Sequence, residues 1–186
     1  MSTSIVAGSI AAVAHSNATS IAEAFLGAEI VALVDVSGSM RACDSRGGRS
    51  RYEVACDELA KLQQANPGAI AVVAFSDRPE FAPSGVPIYQ GLGTDLAAAL
   101  RFVAIADGTV RFIVISDGSP DDPEDALQVA KSLTSPLDCI YVGPESERPG
   151  SDFLKRLANT HGGRYAVASK AAELASTVQT LMLKAG

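Results

Sequence analysis

The sequence predicts a three-layer α/β/α domain around a mostly parallel sheet with one short antiparallel edge strand. Two observations carry this. Strand-like and helix-like segments alternate from Glu29 onward, the pattern of a helix-covered parallel sheet. The strand-like runs are apolar throughout rather than alternating, as strands buried on both faces are.

The elements follow in order. "EIVALVD" reads as a short, β-branched buried strand. "RYEVACDELAKLQQA" reads as a helix, with Tyr52, Ala55, Leu59 and Leu62 at helical spacing. Ser50 and Glu53 fit a capping box at its start, and Asn66-Pro67-Gly68 ends it. "AIAVVAFS" is a second buried strand, followed by a Pro- and Gly-rich loop in which Pro87–Tyr89 is the candidate edge strand. "DLAAALRFVAIA" is a helix, and "TVRFIVISDG" a strand ending in Asp117-Gly118. "PEDALQVAKSL" is a helix with Asp122 as N-cap and Pro123 in its first turn. "LDCIYVG" is a strand, "SDFLKRLANT" a helix, "RYAVA" a last strand and "AAELASTVQTLMLKA" a last helix. The 186 residues suit one domain over 29–186. Residues 1–28 read as an Ala-rich helical extension whose apolar side is Ile5, Ile10, Val13, Ile21 and Phe25.

Composition excludes several classes. The net charge of −6 argues against a general nucleic-acid binder, which needs clustered Lys and Arg facing phosphates. The N-terminal apolar run is too short and too broken by Ser and Gly to insert in a membrane. With no Lys or Arg before Arg41, it also lacks the basic start of a secretory signal. Cys43, Cys56 and Cys139 form no paired spacing, so reduced thiols in the cytoplasm are expected, and zinc is not.

In such a sheet ligands bind beyond the carboxyl ends of the strands. Three segments there are unusual: Asp35-Val36-Ser37-Gly38-Ser39, Gly91-Leu92-Gly93-Thr94-Asp95, and Ser116-Asp117-Gly118. Together they offer carboxylates and hydroxyls, with neither histidine nor thiolate. That donor set suits a hard divalent cation such as Mg²⁺, with Mn²⁺ or Ca²⁺ as substitutes. With few carboxylates the ion stays under-neutralised, and it seeks one more anionic ligand.

"DVSGSM" resembles the DxSxS signature of von Willebrand factor A (vWA) domains, the modules that include integrin I domains. The later Thr and Asp of that family's metal-ion-dependent adhesion site are matched by Thr94 in "GLGTD" and Asp117 in "ISDG". The resemblance runs from about Glu29 to the C-terminus and includes "GGRYAVAS". It implies a Rossmann-like vWA fold in which Ser37 and Ser39 bind the metal directly. Asp35 would act through water and by orienting the serines. Thr94 and Asp117 would exchange direct and water-mediated contact between ligand-bound and ligand-free states. The sixth position would go to water or to an Asp or Glu of a partner protein.

The function implied is a metal-dependent protein-protein interaction module, not an enzyme. A partner such as an AAA+ ATPase or another multi-subunit assembly is expected. The basic loop after the metal segment, with Arg41, Asp44, Arg46 and Arg49, and the neighbouring Asp77 and Arg78, would form a specificity rim, since Arg presents several donors to carboxylates. The alternative is a Mg²⁺-dependent phosphohydrolase of haloacid-dehalogenase type. It needs a second Asp as acid/base two residues after the first, and Ser37 stands there. Asp95, Asp121, Asp122 and Glu124 read as helix caps or dipole partners.

Overall fold

A computed structural model describes residues 5–144 and 146–168; the last helix expected from the sequence lies outside them. The strands are β1 (Ile30–Asp35), β2 (Ile70–Phe75), β3 (Pro79–Phe81), β4 (Arg111–Ser116), β5 (Leu137–Tyr141) and β6 (Tyr165–Val167). The helices are α1 (Ile10–Asn17), α2 (Ile21–Leu26), α3 (Arg51–Ala65), α4 (Leu96–Val103), α5 (Pro123–Ser132) and α6 (Arg148–Ala158). The sheet order is β3-β2-β1-β4-β5-β6. Every pairing is parallel except β2 with β3.

β1 is the central strand because both its faces are apolar. Val31 and Leu33 pack with Val73, Phe112 and Val114 under Leu100, Leu127 and Leu154, from α4, α5 and α6. Ile30, Ala32 and Val34 pack with Val72 and Ile113 under Val54, Leu59 and Leu62 of α3. All six β1 residues are buried, so a polar substitution there would break one helix layer or the other. α3 begins with the expected capping box: Ser50 accepts from Glu53 N–H while the Glu53 carboxylate accepts from Ser50 N–H.

Strand order reverses at β1, with β2 on one side and β4 on the other. Adjacent strands whose connections leave in opposite directions open a crevice at their carboxyl ends. The register Val34↔Ile115 places Asp35 beside Ser116, and Asp117 follows directly. The crevice is therefore lined by the polar strand ends.

Three expectations are corrected. The antiparallel edge strand is Pro79–Phe81, not Pro87–Tyr89. Proline is tolerated at the first residue of an edge strand, whereas Pro87 gives its carbonyl to the Tyr52 hydroxyl. The N-terminal segment is two short helices, not one. Ala18 closes α1 in the left-handed region at φ 54°, and Ser20 then caps α2. α6 starts three residues before the expected Ser151, because Pro149 fits a first helical turn. α1 is anchored by Ala11 N–H to the Pro83 carbonyl at 2.9 Å and by buried Ile10 and Ala14. α2 is less buried, and Phe25 and Leu26 help line an open apolar groove with Phe102 and Ile105.

Candidate metal centre

The site begins where β1 runs out of partners. Val36 N–H still donates to the Phe75 carbonyl at 2.9 Å, and the chain then tightens into a 3₁₀ turn over Gly38–Arg41. Asp35 is fully buried at this point. Its Oδ1 accepts Ser37 N–H at 2.9 Å and its Oδ2 accepts the Ser116 hydroxyl at 2.6 Å. The Ser37 and Ser39 hydroxyls lie 3.2 Å apart. Ser37 is buried and Ser39 is exposed, so the pair leads from the interior to the surface. Met40 turns back into the core.

The second segment docks on the first through the backbone. Gly38 N–H donates to the Leu92 carbonyl at 2.9 Å, and Gly91 N–H to the Val36 carbonyl at 3.0 Å. Thr94 follows, with its N–H donating to Asp121 at 2.7 Å and its carbonyl accepting Asp121 N–H at 3.1 Å. Gly93 N–H donates to Asp77 at 2.6 Å. A Cβ at Gly93 would meet the Asp77 and Asp121 carboxylate oxygens at 2.6 and 2.7 Å, so a side chain there would push these carboxylates off the Gly93 and Thr94 N–H groups.

The third segment, Asp117-Gly118, is gripped by α6. Gly118 sits at φ +75°, and a Cβ on it would overlap the Gly150 carbonyl, while a Cβ on Gly150 would overlap the Asp117 carbonyl. Asp117 is fully buried; Oδ2 accepts from Arg51 Nη1 at 2.7 Å and Oδ1 accepts Ser119 N–H at 3.2 Å.

The electrostatics are unbalanced. Burial, and then the charge of Asp117, push the Asp35 carboxyl up to about 6, against the opposing hydrogen bonds from Ser116 and Ser37. Two ionised carboxylates in a desolvated crevice repel, and of these two only Asp117 pairs with Arg51. Among the described residues no three His, Cys, Asp or Glu side chains are grouped so as to hold a metal ion by themselves. Whatever cation fits here must accept hydroxyl oxygens and few charges. Two buried carboxylates beside two converging hydroxyls fit a hard divalent ion that keeps several waters.

The remaining rim residues divide. Arg41 stands over the Tyr89 ring at 5.8 Å, and Leu92 is exposed. Asp44 joins Arg51, and Asp77 pins Gly93. Arg46 pairs with buried Glu58 and also donates to the Ala168 carbonyl, while Arg49 pairs with Asp57. Arg78 is exposed.

Sequence reasoning left three roles unassigned. Asp95 and Asp122 cap α4 and α5 as expected, but Asp121 holds Thr94 instead of a helix end. Ser116 orients Asp35 and also accepts Gly118 N–H at 2.9 Å; the cue was a hydroxyl at a strand end directly before Asp117. Arg51 reads as the end of the basic loop and the start of a helix, with no carboxylate partner assigned. A cation at the first helical position opposes the helix dipole, and that conflict was the available signal.

No protein-family model matches the sequence, and no curated protein does either. The fold, however, matches solved structures. A BatB protein from Bacteroides thetaiotaomicron superposes with TM-score 0.66 at 17% identity, covering 84% of this chain and 99% of that one. Manganese-loaded TRAP protein from Plasmodium vivax gives 0.56 at 18%, covering 79% and 71%. A von Willebrand factor type A protein from Catenulispora acidiphila gives 0.56 at 18%, covering 80% and 41%. The chain has the vWA fold.

Proposed function

We propose that this chain is a metal-dependent protein-binding module. In this reading Ser37 and Ser39 hold a divalent cation, Mg²⁺ or in its place Mn²⁺ or Ca²⁺, through their hydroxyls. Asp35 orients them and contributes charge through water, and Thr94 and Asp117 complete the surrounding shell. A partner's Asp or Glu fills the position left open on the exposed side, where Ser39 reaches the surface. The observation that carries the reading is the convergence of the two serine hydroxyls at the strand switch, beside two buried carboxylates of which Asp35 has only an N–H and a hydroxyl as partners. The manganese-loaded neighbour of the same fold supports it.

When bound, the ion supplies an electrostatic bridge between the two proteins. The chain's own residues do the rest. The Ser116 hydroxyl and Ser37 N–H fix both oxygens of Asp35, and Asp121 fixes Thr94. Arg41, Tyr89 and Leu92 border the opening and would read the partner's surface. A phosphohydrolase is disfavoured, because both Asp35 oxygens already accept hydrogen bonds and Ser37 cannot serve as the second acid. An AAA+ ATPase or another multi-subunit assembly is the proposed kind of partner.

Calorimetric titration with Mg²⁺ and Mn²⁺ tests the metal half. The wild type should bind one ion, and Ser37→Ala/Ser39→Ala should bind at least about 100-fold more weakly, as expected for loss of two ligands. Equal affinity would sink the reading. For the partner half, capture from lysate should be abolished by EDTA and by the double serine variant alike.

A further inference from the structure

Arg51 is the buried cation of this face, and its position costs energy twice. It opens α3, where the dipole disfavours positive charge, and its side chain is 8% exposed. Three carboxylates from three segments compensate. Nε and Nη2 fork onto Asp44 at 2.9 and 2.8 Å. Nη2 also donates to Glu147 at 2.7 Å, and Nη1 to Asp117 at 2.7 Å. Asp44 and Glu147 are partly solvated, while Asp117 is fully buried. The guanidinium therefore sits behind the one carboxylate that shares the crevice with Asp35.

We infer that Arg51 is a resident counter-charge that sets how tightly the site holds a divalent cation. It holds the Asp117 carboxylate in place, and it cancels part of the negative potential the ion would feel. The consequence is a site of moderate intrinsic affinity that tightens when a partner adds a carboxylate. This rests on the metal-binding reading above and assigns Arg51 a positioning and tuning role, not a ligand's role.

Removing Arg51 has two opposed effects. Asp117 loses its anchor, which weakens binding; the ion loses a positive neighbour, which strengthens it. At an effective dielectric near 20, a unit charge several ångströms from a divalent ion weighs far more than tenfold on affinity; solvent screening and the weaker hold on Asp117 take back most of it and leave about tenfold. Glutamine at this position still offers an amide N–H to Asp117, so the charge effect dominates in Arg51→Gln. Lysine keeps the charge and loses the planar fork.

The test is Mn²⁺ titration, read by electron paramagnetic resonance, on the full chain as wild type, Arg51→Gln and Arg51→Lys. Metal-free and Mn²⁺-loaded melting temperatures are recorded alongside. Arg51→Gln should bind about tenfold more tightly, and Arg51→Lys within about twofold of wild type because the charge remains. Metal-free Arg51→Gln should melt lower than wild type and gain more from Mn²⁺. Equal or weaker binding by Arg51→Gln overturns the inference, as does parallel weakening in both variants, which marks a scaffold. If wild type binds and the double serine variant does not, the metal reading stands whatever Arg51 does. If neither wild type nor Arg51→Gln binds, that reading fails and this inference with it. Should Arg51→Gln not fold, Asp44→Asn/Glu147→Gln, altered at two partly exposed positions, leaves the guanidinium to Asp117 alone. It should bind Mn²⁺ several-fold more weakly, and unchanged or tighter binding overturns the inference.

Discussion

Two fully buried aspartates lie in this sheet and are treated in opposite ways. Asp138, near the start of β5, receives both oxygens' worth of contact from Arg111 Nη1 at 3.1 Å, and Oδ1 also accepts Arg164 N–H at 2.7 Å. It joins β4, β5 and the approach to β6, with a cation of its own. Asp35, at the end of β1, receives one hydroxyl and one N–H but no cation, and faces the charge of Asp117. Burying a charge is tolerable when it is paired. Asp138 is a finished structural pair, whereas Asp35 is a carboxylate whose balancing charge is not supplied by its hydrogen-bond partners. The contrast separates an aspartate that holds the fold from one suited to holding an ion.

The largest effect should come from the finished pair. Asp138→Ala strands Arg111 and leaves Arg164 N–H without its acceptor. A denaturant titration should show a loss of about 3–5 kcal/mol, typical of breaking one side of a buried pair, and it should be insensitive to Mn²⁺. A loss below about 1 kcal/mol would break the comparison.

The next effect belongs to Asp35 and has a defined sign. Its carboxyl is raised from 3.8 to about 6 in the folded protein, so the folded state holds the proton more tightly than the unfolded one. Its contribution to stability is fully present below about pH 4 and is lost as pH rises through about 6. The swing is about 3 kcal/mol. Metal-free protein, unfolded in urea across this window, should show that loss, and Asp35→Asn should abolish it. Saturating Mn²⁺ should restore stability at pH 7.5. A pH-independent difference between wild type and Asp35→Asn would contradict this account of Asp35.

The smallest effect concerns the start of α3. Ser50→Ala removes the capping box and should cost about 1 kcal/mol by thermal melting. Mn²⁺ affinity should stay within about twofold, because three carboxylates still hold Arg51. A larger change in affinity would show that helix capping, rather than the carboxylate clasp, places the guanidinium.

The fold was legible where one physical signal dominated. β1, β2 and α3 declared themselves through continuous apolar runs and a capping box. The edge strand did not. Only three residues long, it has no periodicity to read, and its proline suggested a loop. The start of α6 was hidden for the same reason, since Pro149-Gly150 looks like a break, although a glycine at 150 lets the helix approach the Asp117 carbonyl. In the site, Asp35, Ser37, Ser39 and Asp117 stood at strand ends and Thr94 just before a helix, and the resemblance to the vWA signature singled out these five as one set of candidates. Asp121 and Arg51 could not, because their partners lie 27 and 66 residues away along the chain. Contacts of that separation are set by the packing of loops, which local sequence does not encode.

The most direct test of the central claim is anomalous diffraction from crystals grown with Mn²⁺. The account predicts a single strong peak about 2.1 Å from the Ser37 and Ser39 hydroxyl oxygens, on the Asp35 side of the crevice, and absent in Ser37→Ala/Ser39→Ala. No peak at the serines, or a peak of equal strength that persists in the double variant, would contradict it.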